Sequence, residues 1–552
     1  MASFPLQKIN SKQRDWLQPV LGLVLLAAAL YVGYLFRYRG VFPEDEGDKL
    51  AIGLLMARGS RLYRDVFTHH MPFPYLWTAA VLLVSPTVSA VRTSVLFYQV
   101  LAFGVIMKVS RRYLATGLAA LTWAGVGNLF FANMALYNVF SGAALIVVFA
   151  ITIQALLVEE TPSLFARIAW GTAAGAAILS DPLAALPVLV CLAALWLNQQ
   201  TRHKLVIPLA SAASVFGLCF LYLLLTGSLS GFYNEVFIFN TQVYNHYYQS
   251  EVSQLLNLPR LFVSGLGIFQ SHLWNLPGFL IDVPAAPHRV DVWAGWIVYR
   301  LGVVAISIDL LLRRRWLAAA TIYFFATATL LRSDGFFRQI PFVLTSIVCA
   351  FWFLVGWRGD GQQPGDRSDL VSAPELSRAD INQKKWYPFY AGLRVAMQLI
   401  LAVTFGYLVV NTLLYYQANK KLVYADAFGS YISVGKEIRG LACDQPAELG
   451  FYPGDPMIYF TSGLRPVEGY VYLWPWVYQA GGQAIINRLG TGEEKAIVYI
   501  NKDREVWGYA SRIYMSDLIA FLDANYLQVG PYYVSPSLAS VCPSVLTGAL
   551  TK

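Results

Sequence analysis

The chain has 552 residues, of which 57% are hydrophobic and only 13% charged, with a formal net charge of +9 at neutral pH. Soluble globular domains carry roughly 25% charged residues, so this composition excludes a soluble enzyme and describes an integral membrane protein. The positive balance does not indicate a nucleic-acid partner, because Lys and Arg are scattered at the ends of apolar runs, where they set topology.

The N-terminus is polar and basic (Lys8, Lys12, Arg14) and turns apolar from about Pro19 to Phe36. That run exceeds a signal-peptide core and lacks a small-residue cleavage site, so it reads as a retained first span. A knot of carboxylates follows at once, Pro43-Glu44-Asp45-Glu46-Gly47-Asp48. Ionisable groups pressed against apolar segments of a membrane protein are costly and usually functional. The stretch from Glu46 to Arg58 is too short to span. It sets Leu50, Leu54 and Ala57 on one helical face, as expected of a helix lying on the membrane. The apolar stretch from Phe73 to Ser85 is stopped by Pro86 and reads as an interfacial or re-entrant helix.

At about twenty apolar residues per span, further spans are expected near 91–109, 114–132, 138–157, 166–181, 183–199, 205–226, 291–311, 316–331, 340–357 and 388–416, about eleven with the first. A cytoplasmic N-terminus then puts Lys108-Arg111-Arg112, Arg202-Lys204, Arg313-Arg314-Arg315 and Lys384-Lys385 inside, as the positive-inside rule asks. Arg58, Arg61 and Arg64 fall outside, interleaved with acids, which points to a local role. Residues 227–290 form a long outer loop rich in tyrosine (Tyr233, Tyr244, Tyr247, Tyr248). Residues 358–387, polar and rich in Gly, Pro and Asp, read as a flexible cytoplasmic linker.

Beyond residue 417 the pattern is that of a soluble domain: an amphipathic helix over about 425–441, strands at AELGFY and 496–500, a helix near 516–524 and a strand near 527–534. This alternation predicts a small α/β fold. The expected architecture is therefore an all-α polytopic membrane domain (1–357, with a first outer loop at 37–90), the linker, a last span at 388–416 and an extracytoplasmic α/β domain at 417–552. The protein is expected as a multi-pass component of the plasma or inner membrane. Cys191, Cys219 and Cys349 lie in apolar runs and read as core residues. Cys443 and Cys542 share the outer domain, where an oxidising exterior permits a bridge that spacing alone does not establish.

After the carboxylate knot come Gly59-Ser60-Arg61-Leu62-Tyr63-Arg64-Asp65 and Pro72-Phe73-Pro74. In this order the elements resemble the first outer loop of the C-type (GT-C) polytopic glycosyltransferases. That superfamily includes the dolichyl-phosphate-mannose protein mannosyltransferases and the bacterial aminoarabinose transferases. GFYPGDPMIYFTSGLRP, residues 450–466, is similar to the outer domain of bacterial members. The resemblance implies transfer of a sugar from a polyprenyl-phosphate donor to a glycan, lipid or protein acceptor at the outer face, with inversion. It matches Asp45 to the family's catalytic base. Glu46 would position the base or the acceptor. Tyr63, Asp65 and His69 would position substrate. Arg332 or Arg338, at the outer end of the 316–331 span, would hold the donor phosphate, joined by Arg64 and His70. A guanidinium fork suits two phosphate oxygens.

The chain departs from the pattern at two points. Relatives have a lysine just before the Pro pair where this chain has His70 and Met71, and an aspartate where it has Asn138. No metal site is read: adjacent histidines on a helix diverge by about 100°, and no cofactor is required, although members differ in metal dependence. The aromatic run Tyr470 to Tyr478 suits sugar stacking, the headgroup level or a domain core. Two other classes remain, a lipid or glycan transporter or flippase and a non-catalytic assembly protein on the same fold. A transporter places charges near the midplane and often carries inverted repeats, whereas here the ionisable residues gather at the outer ends of spans.

Overall fold

The computed structural model describes residues 11–158, 162–247, 302–329, 340–355 and 424–542, apart from residues 39, 41, 493 and 494, with scattered positions between 392 and 410. The first helix is α1 (Ser11–Leu35), followed by α2 (Asp45–Ala57), α3 (Phe73–Val84), α4 (Val88–Ser110), α5 (Tyr113–Val126), α6 (Tyr137–Leu157), α7 (Leu164–Ser180), α8 (Ala185–Leu197) and α9 (Val206–Leu225). Helices Gly302–Leu312, Trp316–Thr329 and Ile340–Leu354 complete the described membrane part. Among the described residues four helices are long and apolar enough to cross a bilayer individually: Trp16–Leu35, Val88–Ser110, Tyr137–Leu157 and Arg202–Leu225. Among the described residues the other apolar helices on expected spans have 10–17 residues. For example, α5 ends at Val126, and a tighter 3-10 turn, Gly127–Phe130, takes up part of its predicted length. The linker and most of the last span lie outside the described residues.

Burial sorts the spans. Within its apolar window α6 is 89% buried, against 22% for α1 and 17% for α9. A helix apolar on every side and buried all round is a bundle centre, and α6 packs on α4, α7, α8 and Ile340–Leu354. The apolar surfaces of α1 and α9 are exposed instead, as lipid-facing helices are. Helix α7 meets α9 across Gly171 and Gly175, a small-xxx-small pair. A Cβ on Gly171 would sit 2.0 Å from the Pro208 carbonyl oxygen, so the backbones approach there as only glycine allows.

The C-terminal domain opens with the helix Tyr424–Leu441 and builds a five-stranded sheet in the order β2-β1-β3-β7-β6. Its strands are β1 (Glu448–Tyr452), β2 (Arg465–Pro466), β3 (Ala496–Ile500), β6 (Leu527–Val529) and β7 (Tyr532–Val534), while β4 (Glu505–Val506) and β5 (Tyr509–Ala510) pair separately. Strand β1 lies parallel between β2 and β3, and β7 runs antiparallel to both β3 and β6. The single strand expected near 527–534 is thus a hairpin. Gly530, at φ +59°, supplies the turn that the apolar pattern on either side concealed. Cys443 and Cys542 are joined by a disulfide, with Cα atoms 6.1 Å apart.

Helix α2 is expected to lie on the membrane with a wet polar face. Its sequence from Glu46 to Leu55 is instead buried on all sides. Leu50 and Leu54 join the membrane core, while Ala51, Ile52 and Leu55 join the core of the C-terminal domain. The helix Pro456–Ser462 covers the face that the sequence pattern left polar.

Candidate active site

Asp45, Glu46 and Asp48 occupy the first turn of α2, where the positive end of the helix dipole favours carboxylates. The three then diverge. Asp45 is half-buried at the very start of the helix. Glu46 points into the bundle and is fully buried. Arg92 of α4 grips it as a fork, with Nε donating to Oε1 (2.8 Å) and Nη2 to Oε2. The same guanidinium donates to the carbonyls of Arg37 (2.8 Å) and Gly40 (3.2 Å), so it ties α4 to the segment leading into α2. Asp48, one turn from Asp45, accepts from Lys49 Nζ (2.9 Å) and from the Tyr75 hydroxyl on its Oδ2.

From Tyr75 a hydrogen-bonded chain runs outward. Its hydroxyl meets Thr68 Oγ1 (2.7 Å), and the Thr68 amide donates to Glu235 (2.8 Å), in the π-helical turn Tyr233–Ile238 after α9. Next along the loop, buried His69 is hydrogen-bonded through Nδ1 to the Tyr472 hydroxyl (3.1 Å). The His70 ring lies 4.2 Å from that of His69 and stacks on Tyr137 at 5.3 Å. Tyr63 holds the loop closed, its hydroxyl donating to the His70 carbonyl (2.6 Å). Asp45, Asp48, Lys49, His69, His70, Tyr75, Tyr137 and Tyr472 thus gather where α2, α3, the start of α6 and the C-terminal domain meet.

The electrostatics follow from burial. Burial, then the charges of Asp48 and Asp45, hold the Tyr472 phenol well above its ordinary value, so it stays protonated. Burial pushes the Glu235 carboxyl up to about 8, although the Thr68 amide opposes the shift. Asp455 is raised to about 7 by burial and then by the nearby Glu44 carboxylate. Arg504 bridges these groups, donating to Glu44 (2.9 Å) and to the Gly454 carbonyl (3.0 Å), which clamps the C-terminal domain to the head of α2.

The sequence-predicted residues divide. Asp45, Glu46, Tyr63, His69 and His70 come to this junction. Arg64 and Asp65 do not: Arg64 is exposed and donates to the Thr226 carbonyl (3.3 Å) at the end of α9, while Asp65 is held by Arg61 in a two-point pair (2.9 Å each). That hydrogen bond keeps the Asp65 carboxyl below the usual range. Arg332 and Arg338 lie outside the described residues. The interleaved arginines do have local roles, since Arg58 also donates to the Gly463 carbonyl (2.7 Å) of the C-terminal domain. Residues missed by the motif reading are Asp48, Lys49, Thr68, Tyr75, Arg92, Tyr137, Glu235, Tyr472 and Arg504. A signal existed for Asp48, three residues after Asp45 and hence on the same helix face. The others come from distant segments. Of the aromatic run, Tyr472, Leu473, Trp476 and Val477 are buried in the domain core, with Tyr472 at its edge against His69. Among the described residues no group of three His, Cys, Asp or Glu side chains is arranged to hold a metal ion.

No protein-family model matches the sequence, and no curated protein matches it. Solved structures do. The aminoarabinose transferase ArnT from Cupriavidus metallidurans in the apo state is similar at 15% identity and a TM-score of 0.51, covering 96% of this chain and 99% of that one. The same enzyme bound to undecaprenyl phosphate is similar at 16% identity and a TM-score of 0.51, over 94% and 98%. The archaeal oligosaccharyltransferase AglB from Archaeoglobus fulgidus, in complex with an inhibitory peptide and a dolichol-phosphate, follows at 12% identity and a TM-score of 0.47, over 93% and 74%. Along nearly its whole length, then, this chain has the fold of the C-type glycosyltransferase ArnT, as its sequence motifs led one to expect.

Proposed function

We propose that the protein transfers a sugar from a polyprenyl-phosphate donor to an acceptor at the extracytoplasmic face of the membrane, with inversion and with Asp45 as general base. One observation carries the reading. The chain shares the fold of ArnT, which has been crystallised with undecaprenyl phosphate, and the carboxylate matched by motif opens the helix wedged between membrane core and C-terminal domain. In the step proposed, an acceptor hydroxyl attacks the anomeric carbon as Asp45 takes its proton. The bond from that carbon to the phosphate oxygen breaks, and the polyprenyl phosphate departs with the electron pair. A single displacement inverts the centre. Glu46, pinned by Arg92, fixes the first turn of α2 and so the direction of its neighbour Asp45. His69 and Tyr472 offer hydrogen bonds beside it. Arg332 and Arg338 remain proposed ligands of the phosphate.

The test is transfer from polyprenyl-phosphate sugars by the purified protein in lipid nanodiscs. Asp45→Asn is expected to cut the rate by about 10²–10⁴-fold, the worth of a general base, with unchanged melting. Near-normal transfer by that variant would sink the assignment.

A further inference from the structure

We propose that the β4–β5 hairpin and Tyr247 form a stacking platform for the sugar rings of a glycan acceptor. The proposal rests on the transferase reading above and deepens it, since it selects a glycan among the acceptor classes. The aromatic run Tyr470–Tyr478 is not that platform, because its Tyr472 and Trp476 are buried. The hairpin presents its rings instead. Glu505 pairs with Ala510 and Val506 with Tyr509, so the turn consists of Trp507 and Gly508 alone. Both have positive φ, +51° and +85°. Two-residue turns of this kind favour Asn-Gly or Gly-Gly, and a bulky side chain in the left-handed region is disfavoured. Here a tryptophan takes the position and remains 52% exposed, with Tyr509 at 45%. Neither the turn nor burial accounts for an indole at this tip. A backbone outlier of this sort points to function, as does an exposed aromatic patch with a polar rim.

Two further observations bear on the occupant. The first is continuity with the candidate active site. Trp507 packs on Trp476, with ring centroids 4.5 Å apart, and Tyr509 on Tyr247 at 5.4 Å. Buried Tyr244 meets Trp476 (5.5 Å) and Trp507 (6.4 Å), and it also meets His69 (5.0 Å). One ring therefore separates the platform from His69, which suits a chain molecule whose end lies in the site and whose body lies on the hairpin. The second observation is the polar and partly acidic rim. The Tyr247 hydroxyl donates to the exposed Gln479 (3.1 Å), and the exposed Asp503 and Glu505 precede the turn. A sugar ring offers C–H faces to aromatic rings and hydroxyls to amides and carboxylates. Trp and Tyr also suit the headgroup level of a membrane, but carboxylates beside the turn oppose an anionic lipid surface.

The experiment measures binding to the full-length protein in nanodiscs, with soluble oligosaccharides of glucose, mannose, galactose, arabinose and N-acetylglucosamine as probes. At least one is expected to bind the wild type and to change its indole emission. Trp507→Asn installs the Asn-Gly pair that the turn prefers, so the hairpin and the melting temperature should be kept. That variant is expected to bind the same oligosaccharide about tenfold more weakly or worse, as loss of a tryptophan anchor does, while Trp507→Tyr keeps part of the affinity. Failure of the wild type to bind any of these sugars would overturn the platform, and so would Trp507→Asn binding as tightly as the wild type. Nanodiscs made with brominated phosphatidylcholine test the lipid alternative. If the emission lost in Trp507→Asn is quenched by the bromines in the wild type, Trp507 sits in lipid and the glycan assignment falls. Transfer without oligosaccharide binding would strike the platform and leave the proposed function. Oligosaccharide binding without transfer would strike the transferase reading and leave a carbohydrate-binding face.

Discussion

The two buried carboxylates flanking Gly47 are handled differently. Glu46 has an arginine fork with both oxygens engaged, whereas Asp48 has a lysine and a tyrosine crowded onto one oxygen. Removing one partner of a buried pair leaves an uncompensated charge, so Arg92→Met is expected to lose about 3–5 kcal/mol. A large drop in the melting temperature of the purified protein would show it, and unchanged melting would refute it. Glu235 allows a pH prediction. Its carboxyl is raised from the ordinary value to about 8, so between these limits the native state holds a proton that the unfolded chain has released. Stability must therefore fall as pH rises from about 4.5 towards 8, because the unfolded state binds fewer protons there. Glu235→Gln should remove that slope, melting above the wild type at pH 8 and closer to it at pH 5. Parallel melting curves for the two proteins across this range would contradict the assignment.

Among the elements, α2 has the most to reconcile, for it has no solvent face from Glu46 to Leu55. It reaches this state through Gly47, where a Cβ would lie 2.6 Å from the Met457 backbone nitrogen. That contact is backbone against backbone and cannot relax by a rotamer change. Gly47→Val should therefore push the helix Pro456–Ser462 off α2 at a cost of about 1–3 kcal/mol, and it should loosen the Glu44–Arg504 clamp. The readout is faster proteolytic release of the C-terminal domain together with reduced transfer. Cleavage as slow as in the wild type would argue that the two parts are held elsewhere. Helix α6 presents the simpler case: long and apolar enough to cross a membrane and 89% buried within its apolar window, it packs mostly on other helices of the bundle.

At the scale of the molecule, the C-terminal domain is stapled by Cys443–Cys542, 99 residues apart in sequence. The chain-entropy model gives a loop of this size about 4–5 kcal/mol of stabilisation. Cys542→Ser, or reduction of the wild type, is expected to lower the melting of this domain, and thiol labelling of the unreduced, denatured protein should find neither Cys443 nor Cys542 reactive. Two reactive C-terminal thiols would rule the bridge out. The bridge, the Arg504 clamp and the buried α2 together make the domain part of the candidate site, because Tyr472 reaches His69 only when the domain is docked.

The sequence by itself determined the membrane class, the helices of the described part in their order, the two short helices after the first apolar one, the mixed helix and strand character of the C-terminal region and the position of Asp45 in the first turn of α2. These are local matters: apolar run length, periodicity and a motif confined to one loop. Tertiary structure alone decided the partners. Nothing near Glu46 in sequence announces Arg92 in another helix, nothing near His69 announces Tyr472 some 400 residues on, and Arg64 and Asp65, which the motif grouped with the site, turn to Thr226 and Arg61. Charge pairing and hydrogen bonding act over a few ångströms in space, so they are settled by which faces pack together. Periodicity left the polar face of α2 looking wet because it records the residues of one helix and not the domain that covers them.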